Sequence, residues 1–186
     1  MINEKNILKS RRIITSLIRE DGISKPKKGL KEFFLKKSVS SFTVSKKLMD
    51  LSEELDVFMW VITTAYYSMF FAATALLAHF GHQLKAEQGK HILTYHALVY
   101  YFIDQNDKLE KHFVEEYKSA KEEAEEIIQI TEPIEELHAW ISAFKYESNK
   151  RKEFTYDLGK VAEKSKAITS IERATSFLKV VKEVIG

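Results

Sequence analysis

The chain has 186 residues, 30% of them charged and 45% hydrophobic, with six Gly, two Pro and no Cys. That length suits one domain, and the missing cysteines exclude disulfides, thiol catalysis and Cys-ligated zinc while fitting a reducing cytoplasm. Net charge is +2, but residues 1–50 carry 13 Lys/Arg against 5 Asp/Glu and residues 107–136 carry 4 against 11, so one basic and one acidic surface are predicted, the basic one either meeting phosphate or simply solvated.

Residues 4–20 read as a short helix with Ile7, Leu8, Ile13, Ile14, Leu17 and Ile18 as its apolar positions. The N-terminus lacks the apolar core of a signal peptide. Asp21-Gly22 and the run Ser24 to Gly29 act as breakers, so residues 1–29 form an N-terminal extension and residues 30–186 the main domain. A second helix is predicted from Leu30 to Leu55, burying Phe33, Phe34, Val39, Phe42, Leu48 and Leu51.

Next comes Val57 to Phe80, 24 residues without Asp, Glu, Lys or Arg. A run of that length can span a bilayer or form the centre of a soluble bundle, covered on all sides. The polar residues Thr63, Thr64, Tyr66, Tyr67, Ser68 and Thr74 in its middle favour the core helix, since membrane Tyr and Trp gather at interfaces. Asp56 is the predicted N-cap, and Gly81 the stop.

His82 to Lys90 reads as a polar loop and His91 to Ile103 as a short aromatic helix. Asp107 to Ile130 keeps helical spacing through Leu109, Phe113, Tyr117, Ala120, Ala124, Ile127 and Ile128. Pro133 opens a further stripe of Ile134, Leu137, Ile141 and Phe144. The last helix starts near Leu158 and places Ile168, Ile171, Leu178, Val181 and Ile185 on one face. No strand-like alternation persists. The prediction is an all-α, up-and-down bundle of about five helices with an N-terminal helical extension.

Of the six histidines, His79, His82, His91, His96, His112 and His138, His91 and His96 are five apart and diverge on a helix, and His79 and His82 are three apart, an acceptable metal spacing, but no carboxylate follows until Glu87; no cofactor is implied. There is no Gly-rich phosphate loop, no His-Glu-x-x-His and no Gly-x-Ser-x-Gly. The segment Glu147 to Lys160 holds Lys150, Arg151 and Lys152 beside Asn149, Tyr156 and Asp157. Arg suits phosphate because its planar fork donates two parallel hydrogen bonds. Asn and Tyr can orient a ribose or base. The alternative is a solvated helix end with Glu147 and Arg151 as an ordinary ion pair.

Ala65 to Leu77, AYYSMFFAATALL, resembles the central-helix signature of the HEPN family, small helical domains of prokaryotic toxin–antitoxin and nucleotide-binding systems. Arg151 to Asp157, RKEFTYD, resembles the family's Arg-containing motif, and Thr94-Tyr95-His96 with the following ALVYYF is weakly similar to its intervening helix. The resemblance covers about Leu30 to Ile185. It implies a cytoplasmic homodimer that binds RNA or a nucleotide, the toxin-like, ribonuclease-related half of a toxin–antitoxin pair whose partner is a nucleotidyltransferase-type antitoxin. Active members are similar to metal-independent endoribonucleases that pair an Arg with a His four to six residues later. Arg151 matches the Arg; Tyr156 stands where the His belongs. A free Tyr titrates near pH 10, roughly three units too high for a base at neutral pH. The implied catalytic residues are thus Arg151 and Tyr156, and the implied binding residues Asn149, Lys150, Arg151, Lys152 and Asp157. On an unbroken helix Arg151 and Tyr156 would point about 140° apart. The competing reading is a non-catalytic helical interaction or dimerisation module.

Overall fold

The structure, a computed structural model, describes residues 2–86, 89–106, 108–128 and 158–186. It is an all-α bundle. Among the described residues it has six helices and one two-stranded ribbon: α1 (Glu4–Arg19), β1 (Ile23–Ser24), α2 (Leu30–Asp50), α3 (Phe58–His79), β2 (Gln83–Leu84), α4 (Lys90–Leu98), α5 (Lys111–Ile128) and α6 (Leu158–Ile185). The stripe predicted after Pro133 lies outside the described residues.

The uncharged segment is the central helix. α3 packs on α2, α4, α5 and α6. It is long and apolar enough to cross a membrane by composition alone, yet 72% of its most apolar window is buried inside the fold. Small residues make this possible: Ala65, Ala72, Ala73 and Ala75 are wholly or almost wholly buried and let neighbouring backbones approach. α2 answers with small residues of its own. Its fully buried positions are Ser38 and Ser45, and Ser38 Oγ donates to the Ser68 carbonyl of α3 at 2.8 Å.

That choice overturns part of the predicted α2 face. Phe33, Val39 and Leu51 are exposed, and Phe34, Phe42 and Leu48 are only half-buried. The serines take the inner position because α3 leaves room for little else. α2 also stops at Asp50, and turns occupy the residues up to Leu55. Asp56 is not the cap of α3. The Val57 carbonyl already accepts the first helical bond, from the Val61 amide at 2.9 Å, so Val57 is the cap residue and Asp56 lies outside.

α1 and α3 end in the same way. In α3 the His82 amide donates to the Leu77 carbonyl and the Gly81 amide to that of Ala78, with Gly81 at φ 85°. In α1 the Gly22 amide donates to Leu17 and the Asp21 amide to Ile18, with Asp21 at φ 55°. Both are Schellman caps, in which a left-handed residue turns the chain back and satisfies two end carbonyls. The two outgoing chains then pair antiparallel, Ile23 against Leu84 and Ser24 against Gln83. The predicted polar loop from His82 to Lys90 therefore contains a strand, too short for alternation to reveal.

α1 starts on a capping box between Asn3 and Asn6. It is tied to the bundle by a buried bond between Ser10 Oγ and His96 Nδ1 at 2.9 Å and by a two-pronged Arg11–Asp104 pair at 2.9 and 2.6 Å. Ile14 is completely buried. α4 continues into a wider π-helical turn, Val99–Asp104. Of the predicted α5 face, Leu109 just before the helix, Tyr117, Ala120 and Ala124 are buried and Phe113 is half-buried, while the side chains of Ile127 and Ile128 lie outside the description; Val114, not predicted, is buried as well. α6 buries Ala167, Ser170, Ala174, Phe177, Leu178 and Val181. Ile168, predicted inside, is exposed; it sits one residue past the buried Ala167, about 100° round the helix.

Candidate nucleic-acid interface

The basic surface has a definite place. Residues 25–47 hold eight lysines and a single acidic residue, Glu32. They run from the ribbon through most of α2. α3, packed alongside, has no charged residue between Phe58 and Leu77, so it offers these lysines no carboxylate.

Between the lysines lies a chain of aromatic rings. Phe33 and Lys37 are four apart, which puts them on one helical face. The Lys37 ammonium stands 5.0 Å from the centre of the Phe33 ring and 5.5 Å from that of Phe71 on α3. Phe34 stacks on Phe71 with centroids 6.0 Å apart and planes 24° from parallel. Phe71 meets Tyr67 at 5.8 Å and Phe70 at 5.6 Å. Phe70 stacks on His91, the second residue of α4, at 4.0 Å. Phe33 is 52% exposed, and Phe34, Tyr67, Phe70 and Phe71 are half-buried. Trp60, exposed, continues the same stripe of α3 through spacings of four and three residues. Aromatic faces interleaved with cations suit unpaired bases, whose flat sides stack while phosphates meet the lysines.

A polar network fixes the end of this ring chain from behind. Tyr66 Oη is hydrogen-bonded to His91 Nδ1 at 2.5 Å. The Tyr117 hydroxyl donates to the His91 carbonyl at 3.4 Å. Lys121 is buried and pairs with Glu125 at 2.6 Å. Burial, helped by the Lys121 charge, pulls the His91 imidazole down to about 4. Burial pushes the Tyr66, Tyr67 and Tyr117 hydroxyls up. All four side chains are therefore neutral at pH 7. Together they position rings rather than exchange protons with solvent.

Asn149, Lys150, Arg151, Lys152, Tyr156 and Asp157 lie outside the described residues, as does His138. Of the remaining histidines, His96 is buried, His91 is half-buried against Phe70 and Tyr66, and His82 stacks on Tyr101 with centroids 3.7 Å apart. Among the described residues no cluster of three or more His, Cys, Asp or Glu is placed to hold a metal ion. Sequence reasoning missed the lysine–aromatic face. The signal is the Phe33–Lys37 spacing of four, which the apolar pattern overrides by placing Phe33 in the core. No family model matches the chain, and no curated protein matches it.

Proposed function

We propose that the chain is a HEPN-like helical-bundle protein that binds RNA or nucleotides, with the α2–α3 face receiving unpaired bases. The observation that carries this reading is the Lys37 ammonium held over Phe33 and Phe71 within a run, residues 25–47, that holds eight lysines and one acidic residue. Backbone phosphate supplies most of the affinity in such surfaces, and aromatic stacking selects single strands. The resemblance at Ala65 to Leu77 supports the same reading. It adds Arg151 as the phosphate-contacting residue, Tyr156 as the second group, a cytoplasmic location and a homodimeric assembly. A toxin-like role beside a nucleotidyltransferase-type antitoxin follows from the resemblance alone.

The test is titration of a labelled single-stranded RNA against wild type, Lys37→Gln, Phe33→Ala and Arg151→Ala, with product analysis for cleavage. Weaker binding in the first two variants supports the face. Loss of binding or cleavage in the third supports the Arg151 segment. Identical behaviour of all four proteins rejects the proposal.

A second reading has its own observation. Val44, Leu51 and Leu55 are exposed at 47%, 41% and 55%, and helical spacing puts Val44 and Leu51 within about 20° of Phe33 around the axis of α2. An apolar line of that length suits a protein partner or a second copy. Under this reading the chain is a non-catalytic interaction or dimerisation module, and Phe33→Ala changes its oligomeric state rather than its RNA affinity.

A further inference from the structure

A cavity of about 270 Å³ opens where α2, α3, β2 and α4 meet. That is just below the roughly 300 Å³ at which pockets for drug-sized ligands begin, a volume that suits a metabolite-sized molecule. Its walls are mainly apolar, with Phe34, Phe70, Leu77 and Leu84 among them. Polar groups gather toward the ribbon and α4, where His82, Lys90 and Thr94 line it. Lys90 is exposed, and no ion pair among the described residues engages it.

Lys90 is the one Lys, Arg, Asp or Glu side chain among the described residues that line the cavity. The Lys27 amide donates to Gln83 Oε1 at 3.3 Å, which holds the run Lys25 to Lys28 beside the cavity. Lys90 is the first residue of α4, and its glycine cap, Gly89 at φ 68°, supplies no side-chain acceptor. The positive end of that helix adds to the lysine field. Apolar walls with cationic groups on one side describe a ligand with two ends.

We propose that this cavity binds a small amphipathic anion, its flat or short apolar body between the Phe34 and Phe70 rings and its phosphate or carboxylate at Lys90. The cavity adjoins the single-strand face and shares Phe34 and Phe70 with it. Its readout is small-molecule binding and requires no RNA.

Calorimetric titration of the full chain with adenosine monophosphate, with octanoate and with inorganic phosphate tests the proposal. One of the two organic anions is expected to bind saturably, one per chain, and adenosine monophosphate against octanoate distinguishes a nucleotide from a fatty acid. Inorganic phosphate, lacking the apolar body, should bind at least a hundredfold more weakly. Thr74→Phe fills the cavity from α3 and should abolish binding with an unchanged circular dichroism spectrum. Lys90→Gln should weaken it about tenfold, the size of one charge-assisted hydrogen bond. Failure of both organic anions to bind wild type overturns the proposal. So does affinity unchanged in Thr74→Phe. If that variant misfolds, Lys90→Gln decides alone, and unchanged affinity there overturns it equally.

Discussion

Lys37 places its ammonium 5.0 Å over the ring of Phe33, one turn before it on α2. The pair lies on the outside of the helix, so its removal tests function with little cost to folding. Exposed substitutions usually move stability by less than about 0.5 kcal/mol. Phe33→Ala should weaken single-stranded RNA binding roughly fivefold or more, as expected for one lost stacking platform. Lys37→Gln should lower the slope of log affinity against log salt by about 1, because one phosphate contact is lost. Fluorescence anisotropy over a salt series reads both. An unchanged slope in Lys37→Gln would remove this lysine from the interface.

The same pair marks where sequence reasoning succeeded and where it stopped. The helical class, the core position of α3 and the role of Gly81 were legible because each depends on local chemistry: absence of charge, absence of Pro, tolerance of positive φ. The inner face of α2 was not. Its apolar residues surround the whole helix, so periodicity could not choose a side. The choice was made by α3, whose close approach admits Ser38 and Ser45 and pushes Phe33 outward. The ribbon was hidden for a related reason. It arises where two similar helix ends meet, pairing Ile23 with Leu84 and Ser24 with Gln83, a relationship far along the chain that no local pattern carries. The predicted Arg151 site rests on its motif alone, outside the described residues.

His96 makes stability depend on pH. It is 5% exposed and bonded to Ser10. Burial, with Lys9 and Lys121 adding repulsion, pulls its imidazole down to about 4. The unfolded chain takes up that proton near pH 6.5, so between about 6.5 and 4 it binds more protons than the folded one. Stability is full above this window and falls as pH drops through it. From pH 7 to pH 5 the loss from His96 is about 2 kcal/mol. Urea unfolding at the two pH values measures it. His96→Gln should reduce the difference by that amount, leaving the contribution of His91, which titrates in the same direction.

The core of α3 predicts opposite failures at neighbouring positions. Met69 is completely buried, and Met69→Ala leaves a cavity that costs about 2–5 kcal/mol. Ala73, also completely buried one turn on, belongs to the same packed core. Ala73→Leu should cost about 1–3 kcal/mol through overpacking, although it adds apolar surface. Chemical denaturation distinguishes a packed core from a lipid-facing helix. A stabilising Ala73→Leu would mean that this face has free space.

The twin helix caps give a prediction of opposite sign at equivalent positions. Gly81 and Asp21 both occupy the left-handed residue of a Schellman cap, at φ 85° and 55°. A Cβ at Gly81 would meet nothing within 4 Å, so Gly81→Ala acts only through backbone conformation and should destabilise by about 1 kcal/mol. Asp21 already bears that conformational cost, so Asp21→Gly should recover part of it. The substitution also removes the Asp21–Lys85 pair at 2.6 Å. Asp21 is 85% exposed in that pair, and exposed pairs contribute little. The net expectation for Asp21→Gly is a gain of about 0.5 kcal/mol, measured by urea unfolding at neutral pH. High salt separates the two terms, because it screens the pair but leaves the backbone preference intact. A gain that grows with salt fits this account. A loss at every ionic strength would mean that the ribbon, rather than the cap, depends on Asp21.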